Sequence, residues 1–147
     1  MTNRRVVSAK RFIAAPKEAI FEVLATPKLH SVIDGSGSVQ APTSDPGRLF
    51  LGAKFGMDMK LGLGYKVRNT VSTFEEGTAI AWHHYAHFIW RYDLVEVDGG
   101  TEVTESFDYS NALGLAIAMS KIPANNQRNM EKTLERLDRY VTTGSPD

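Results

Sequence analysis

"FIWRYDLVEVDGGTEVTESFDYS", residues 88–110, reads as two strands joined by a tight turn. Asp98, Gly99 and Gly100 supply the turn, because aspartate and glycine tolerate the positive φ that a short hairpin demands. On the arm before it, Phe88, Trp90, Tyr92 and Leu94 are large, and the charged Arg91 and Asp93 fall between them. Side chains alternate across a strand, so the even positions face inward. On the arm after the turn, Val103, Glu105, Phe107 and Tyr109 take the inner face, and Thr104, Ser106 and Asp108 the outer one. Glu105 is thereby carried into an apolar row.

The period of two continues upstream. "GTAIAWHHY" (77–85) places Ile80, Trp82 and His84 on one face and His83 on the other. "YKVRNTVSTF" (65–74) is a further strand, preceded by the glycine turn of residues 62–64. "LGAKFGMDMK" (51–60) sets Leu51, Ala53, Phe55, Met57 and Met59 against Lys54, Asp58 and Lys60. "RRVVSAKRFI" (4–13), rich in β-branched residues, is the opening strand. Between it and the others lie two short helices. Pro16 suits a first helical turn, with Ile20, Val23 and Leu24 as the apolar stripe. The second helix starts at Thr26 and Pro27, a hydroxyl cap followed by proline, and buries Leu29, Val32 and Ile33. "DGSG" (34–37) ends it and reads as a turn, because a phosphate loop would open a helix rather than close one.

Downstream, "ALGLAIAM" (112–119) reads as a buried helical turn on the sheet edge, with a lid or membrane-contacting opening as the other reading. The chain closes on an amphipathic helix over 123–141, where Met130, Leu134, Leu137 and Val141 share a stripe with Asn126. Glu135 and Arg139 form an i, i+4 pair on its wet side. Strands and helices are segregated, which predicts an α+β fold, and no linker divides residues 1–147, which predicts a single domain.

The 17 basic and 17 acidic residues balance, which argues against a nucleic-acid partner. The basic groups Arg4, Arg5, Lys10, Arg11 and Arg128, Lys132, Arg136, Arg139 read as solvated faces. No apolar run approaches the ~18 residues that cross a bilayer, so stable membrane insertion is not expected. The first dozen residues lack a signal-peptide core and cysteine is absent, so a cytoplasmic protein is the expectation.

Three stretches carry a family resemblance: residues 15–37, "AWHHYAHFIWRYDLVEVDGGTEVTESFDYS" (81–110) and "NNQRNMEKTLERLDRYV" (125–141). In this order they resemble the START-like, helix-grip superfamily (SRPBCC), especially its bacterial polyketide cyclase/dehydrase and lipid-transport group. The resemblance implies a curved antiparallel sheet of about seven strands wrapped on a long C-terminal helix, with a hydrophobic pocket between them. It supplies no catalytic residues to carry over.

Strand parity, with the stripe of the closing helix, then selects the pocket wall: Phe55, Met57, Met59, Trp82, His84, Trp90, Tyr92, Glu105, Phe107 and Tyr109 from the strands, and Asn126 and Met130 from the helix. A metal site is not expected, since adjacent His83 and His84 point to opposite faces and His87 would need a distorted bend to join His84. No cofactor is expected and no protein partner is identified. The leading expectation is binding or transport of a small hydrophobic molecule such as a lipid, polyketide or aromatic metabolite. A second is a cyclase or dehydratase in which His84 and Glu105 move protons. A third is a protein-interaction module working through an exposed sheet face.

Overall fold

A computed structural model describes residues 5–42, 47–61, 63–84, 88–111 and 113–147. The strands are β1 (Val6–Ile13), β2 (Val39–Pro42), β3 (Lys54–Leu61), β4 (Leu63–Glu75), β5 (Ala79–His83), β6 (Ile89–Val97) and β7 (Gly100–Asp108). They form one seven-stranded sheet in the order β1-β7-β6-β5-β4-β3-β2, and every pairing is antiparallel. The helices are α1 (Lys17–Leu24), α2 (His30–Ile33), α3 (Gly114–Ala118) and α4 (Ile122–Thr143). This is the helix-grip arrangement, with two short helices after the first strand and the long helix last.

The 98–100 turn sets the register as expected: Val97 pairs with Gly100, so Tyr92 stands opposite Glu105 and Trp90 opposite Phe107. The pairing shifts between Val39 and Ala41 against β3, and between Val71 and Thr73 against β5. Such irregularities bend and twist a strand, and here they fall in the half of the sheet farther from β1. Helix α4 lies against β1 and β7, with Met130, Leu134 and Leu137 buried beneath it. Arg11 of β1 holds Asp138 of α4 at 2.8 Å, and Glu135 meets Arg139 at 2.7 Å.

The middle of α4 is gripped by the turn after α2. The Gly35 N–H donates to Thr133 Oγ1 at 2.8 Å. A Cβ on Gly35 would stand 2.5 Å from Lys132 Cβ and 2.6 Å from the Thr133 backbone nitrogen. Glycine is therefore required there by close backbone approach. Arg136 also donates to the Val32 carbonyl at 2.9 Å. The turn is organised by Asp34, whose carboxylate accepts from the Ser36 hydroxyl at 2.7 Å and from the Val39 N–H at 3.1 Å.

Several local expectations are corrected. Thr26 does not cap the second helix; its hydroxyl donates backward to the Glu22 carbonyl at 2.6 Å. A short 3-10 turn, Pro27–Leu29, precedes α2, and its tighter winding aligns Pro27, His30 and Ile33 as the buried set. Leu29 and Val32 are only half-buried. Leu51 is exposed, because it lies in the turn with Gly52 (φ +83) and the alternation begins only after it. β2 has no alternating signal and was not expected. Within the segment read as a buried turn at 112–119, Gly114–Ala118 forms α3, with Leu115 63% exposed and Met119, just after it, 82% exposed. A helix of five residues has one covered side, and Gly114 and Ile117 occupy it.

Candidate functional site

Between the concave sheet face, α2 and α4 lies a cavity of about 520 Å³, within the range of small-molecule sites. Strand β3 contributes Phe55, Met57 and Met59, and β4 contributes Val67 and Asn69. Trp82 from β5, Trp90 and Tyr92 from β6, and Glu105 and Phe107 from β7 form the opposite wall. His84 and Phe88 stand where β5 ends and β6 begins, and α4 adds Asn125, Asn126, Asn129, Met130 and Thr133. Ile117 of α3 reaches the same space.

The aromatic lining falls into two groups. In the inner group, Trp82 stacks on His30 with centroids 5.0 Å apart. Phe55 meets Trp82 edge-on at 5.5 Å, and Tyr92 lies 5.9 Å from it. In the outer group, Phe107 contacts Trp90 at 4.7 Å, Phe88 at 5.7 Å and Tyr109 at 5.7 Å. Eleven of the twelve residues selected from the sequence line the cavity, and Tyr109 does not. β7 ends at Asp108, but the Tyr109 N–H still donates to the Arg5 carbonyl at 2.8 Å in continuation of the β1–β7 register. Its ring stacks on Phe107 on the same face, beyond the lining residues.

Glu105 is the unusual polar group. Only 4% of it is exposed, and its carboxyl is pushed up to about 8, chiefly by burial and further by the charge of Asp34. Tyr92, directly across the strand pair, hydrogen-bonds one carboxyl oxygen and offsets part of that rise. Oε1 has no hydrogen-bond partner among the described residues. Tyr92 is itself pushed well above the ordinary phenol range by burial and then by Glu105.

The register separates Glu105 from the other candidate acid/base group. His84 follows the last paired residue of β5 and stands level with Phe88, four residues along β6 from Tyr92. That is roughly 13 Å along the strands. His84 is lowered by burial and then by its neighbour His83. The structure therefore does not bring His84 and Glu105 together as a proton-transfer pair. His87 lies outside the described residues, and no cluster of three or more potential metal ligands occurs among those described.

Sequence reasoning missed His30, Asn69 and Asp34. His30 is buried, its Nε2–H donates to the Leu24 carbonyl at 2.8 Å, and burial holds it down to about 4. It is thus neutral, with Nδ1 as the acceptor. The three-residue spacing Pro27, His30, Ile33 was its available signal. Asn69 is marked by alternation with Val67 and Val71. Asp34 acts through a turn that only the three-dimensional structure brings to the cavity.

Comparison with known proteins agrees with this architecture. The sequence pattern of the family described as "Polyketide cyclase / dehydrase and lipid transport" matches residues 4–142. "Uncharacterized protein Rv0088" of Mycobacterium tuberculosis is 32% identical over 143 residues, covering 92% of this chain and 64% of that protein. The chain thus spans just under two thirds of the curated relatives that it matches. Among solved structures, the AHSA1-like protein from Aeromonas hydrophila superposes with a TM-score of 0.73 at 19% identity, covering 97% of this chain and 96% of that one. Protein Ms6760 from Mycobacterium smegmatis gives 0.74 at 17% identity, covering 97% and 98%. At those identities the likeness is one of fold. With the curved sheet, the gripping helix and the match over nearly its whole length, the chain belongs to the polyketide cyclase/dehydrase and lipid-transport family of the SRPBCC superfamily.

Proposed function

We propose that this protein binds a small hydrophobic molecule in the cavity between the sheet and α4, as a cytoplasmic carrier or receptor, and that residues 1–147 act as one ligand-binding domain. The observation that carries this reading is a space of about 520 Å³ whose wall includes Phe55, Trp82, Trp90 and Phe107 together with Met57, Met59 and Met130. Flat rings give extensive contact area, and methionines adapt to an irregular partner. Polar groups are distributed along the wall, from His84 and the α4 asparagines to Asn69 and Glu105, and would orient a mostly apolar body. An enzyme using His84 and Glu105 as a pair has less support, because the register holds them apart.

The test is titration with N-phenylnaphthylamine, an uncharged dye that brightens in apolar surroundings. A saturable signal is expected, and cavity-filling Met59→Trp or Asn126→Trp should weaken it about tenfold or more while the protein still folds. A dye that does not bind, or binds the filled variants equally well, overturns the reading.

A further inference from the structure

The inner end of the cavity has a definite chemistry. Beyond the Tyr92–Glu105 rung come Leu94 and Val103, paired in the next inward position and buried along with Leu134 and Leu137. The cavity wall therefore stops at Glu105, and the solid core starts behind it. Among the described lining residues, Asp34 and Glu105 are acidic and none is lysine or arginine. His30 and His84 are both shifted toward the uncharged form by burial. An anionic head group reaching this end would lose its water and meet a carboxyl group with no basic side chain to pair with.

A cation meets the opposite situation. Glu105 lines the cavity, and its buried Oε1 has no hydrogen-bond partner among the described residues. Trp82 of β5 lies 5.9 Å from Tyr92 of this rung, and Phe107 follows Glu105 by two residues on β7; aromatic rings attract organic cations through their negative faces. We propose that the inner end of the cavity receives a protonated amine carried on an apolar body, its N–H donating to the Glu105 carboxyl group with the Trp82 and Phe107 rings alongside. The proposal rests on the cavity being the ligand site and adds the class of ligand and its orientation, amine end first.

The protons balance in a measurable way. At pH 7 the empty site holds Glu105 as the neutral acid, and the free amine is an ammonium ion. The complex holds an ammonium and a carboxylate, and the carboxyl proton passes to the buffer. The other groups around Glu105 do not compensate: Tyr92 of β6 stays a phenol, and His30 of α2 stays neutral. Asp34, in the turn after α2, raises Glu105 further through its charge. β1 offers Ala9 opposite Glu105, and α4 lines the cavity with asparagines, Met130 and Thr133.

Calorimetric titration with naphthylmethylamine, naphthylmethanol and naphthoic acid, in buffers of different ionisation enthalpy, tests this directly. The amine should bind roughly tenfold or more tighter than the alcohol, and the acid weakest. Close to one proton should be released per amine at pH 7, falling away above pH 8 as affinity levels off. Glu105→Gln should bring the amine-to-alcohol ratio to about one and abolish the release, with its unfolding transition confirming a folded protein. Equal or tighter binding of the alcohol or acid, or amine binding without proton release, overturns the amine assignment. So does failure of all three where N-phenylnaphthylamine still binds. If that dye fails as well, the cavity reading beneath it falls too.

Discussion

Glu105 and His30 are buried groups whose shifts oppose each other, and this gives stability an uncommon pH profile. Glu105 moves from 4.5 unfolded to about 8 folded, so between those values the folded state holds a proton that the unfolded chain has released. His30 moves from 6.5 down to about 4, so between those values the unfolded chain holds the extra proton. Stability falls with pH where the folded state binds more protons, by about 1.4 kcal/mol per pH unit for one proton, and rises where it binds fewer. From pH 4.5 to 6.5 the two cancel; from 6.5 to 8 only the Glu105 loss remains. Glu105→Gln should remove that decline and uncover a rise below pH 6.5. Urea unfolding at steps from pH 5 to 9 checks it, and parallel profiles for the two proteins would refute the Glu105 assignment. Oε1 also makes the site electrostatically unfinished in the empty protein, since a buried acceptor without a partner is costly.

At the scale of elements, the hold on α4 depends on two backbone surfaces touching at Gly35. Gly35→Ala drives a Cβ into the helix backbone, where no rotamer can yield, and should cost about 1–3 kcal/mol. It should also weaken dye binding, because α4 forms one wall of the cavity. Gly37→Ala is the control: its φ of +75 is left-handed but nothing lies near its Cβ, so it should cost about 1 kcal/mol of strain and leave binding alone. Equal effects of the two on binding would show that contact with α4 is not what matters. Helix α3 behaves differently. Leu115→Ser and Met119→Ser remove exposed apolar groups and should leave stability within about 0.5 kcal/mol, whereas Leu134→Ala should cost about 2–5 kcal/mol. Denaturant midpoints separate these classes, and a large loss at Met119 would mean that α3 is buried in solution.

For the whole molecule, the sheet was legible wherever alternation ran uninterrupted into a recognisable turn. The 98–100 hairpin shows why: once Val97 faces Gly100, counting outward pairs Tyr92 with Glu105 without further information. The stripe of Met130, Leu134 and Leu137 made α4 equally legible. What escaped depended on contacts between distant segments: the close approach of Gly35 to Thr133 and the field of Asp34 at Glu105. Short elements such as β2 and α3 carry too few residues for a period to declare itself. One pairing has a practical consequence. The chain has 2 tryptophans, and both line the cavity, as Trp82 and Trp90 on directly facing positions of β5 and β6. All indole emission from this protein therefore originates at the cavity wall. Ultraviolet excitation near 295 nm would read the occupancy of that space in the unlabelled protein, with no contribution from indoles elsewhere in the fold.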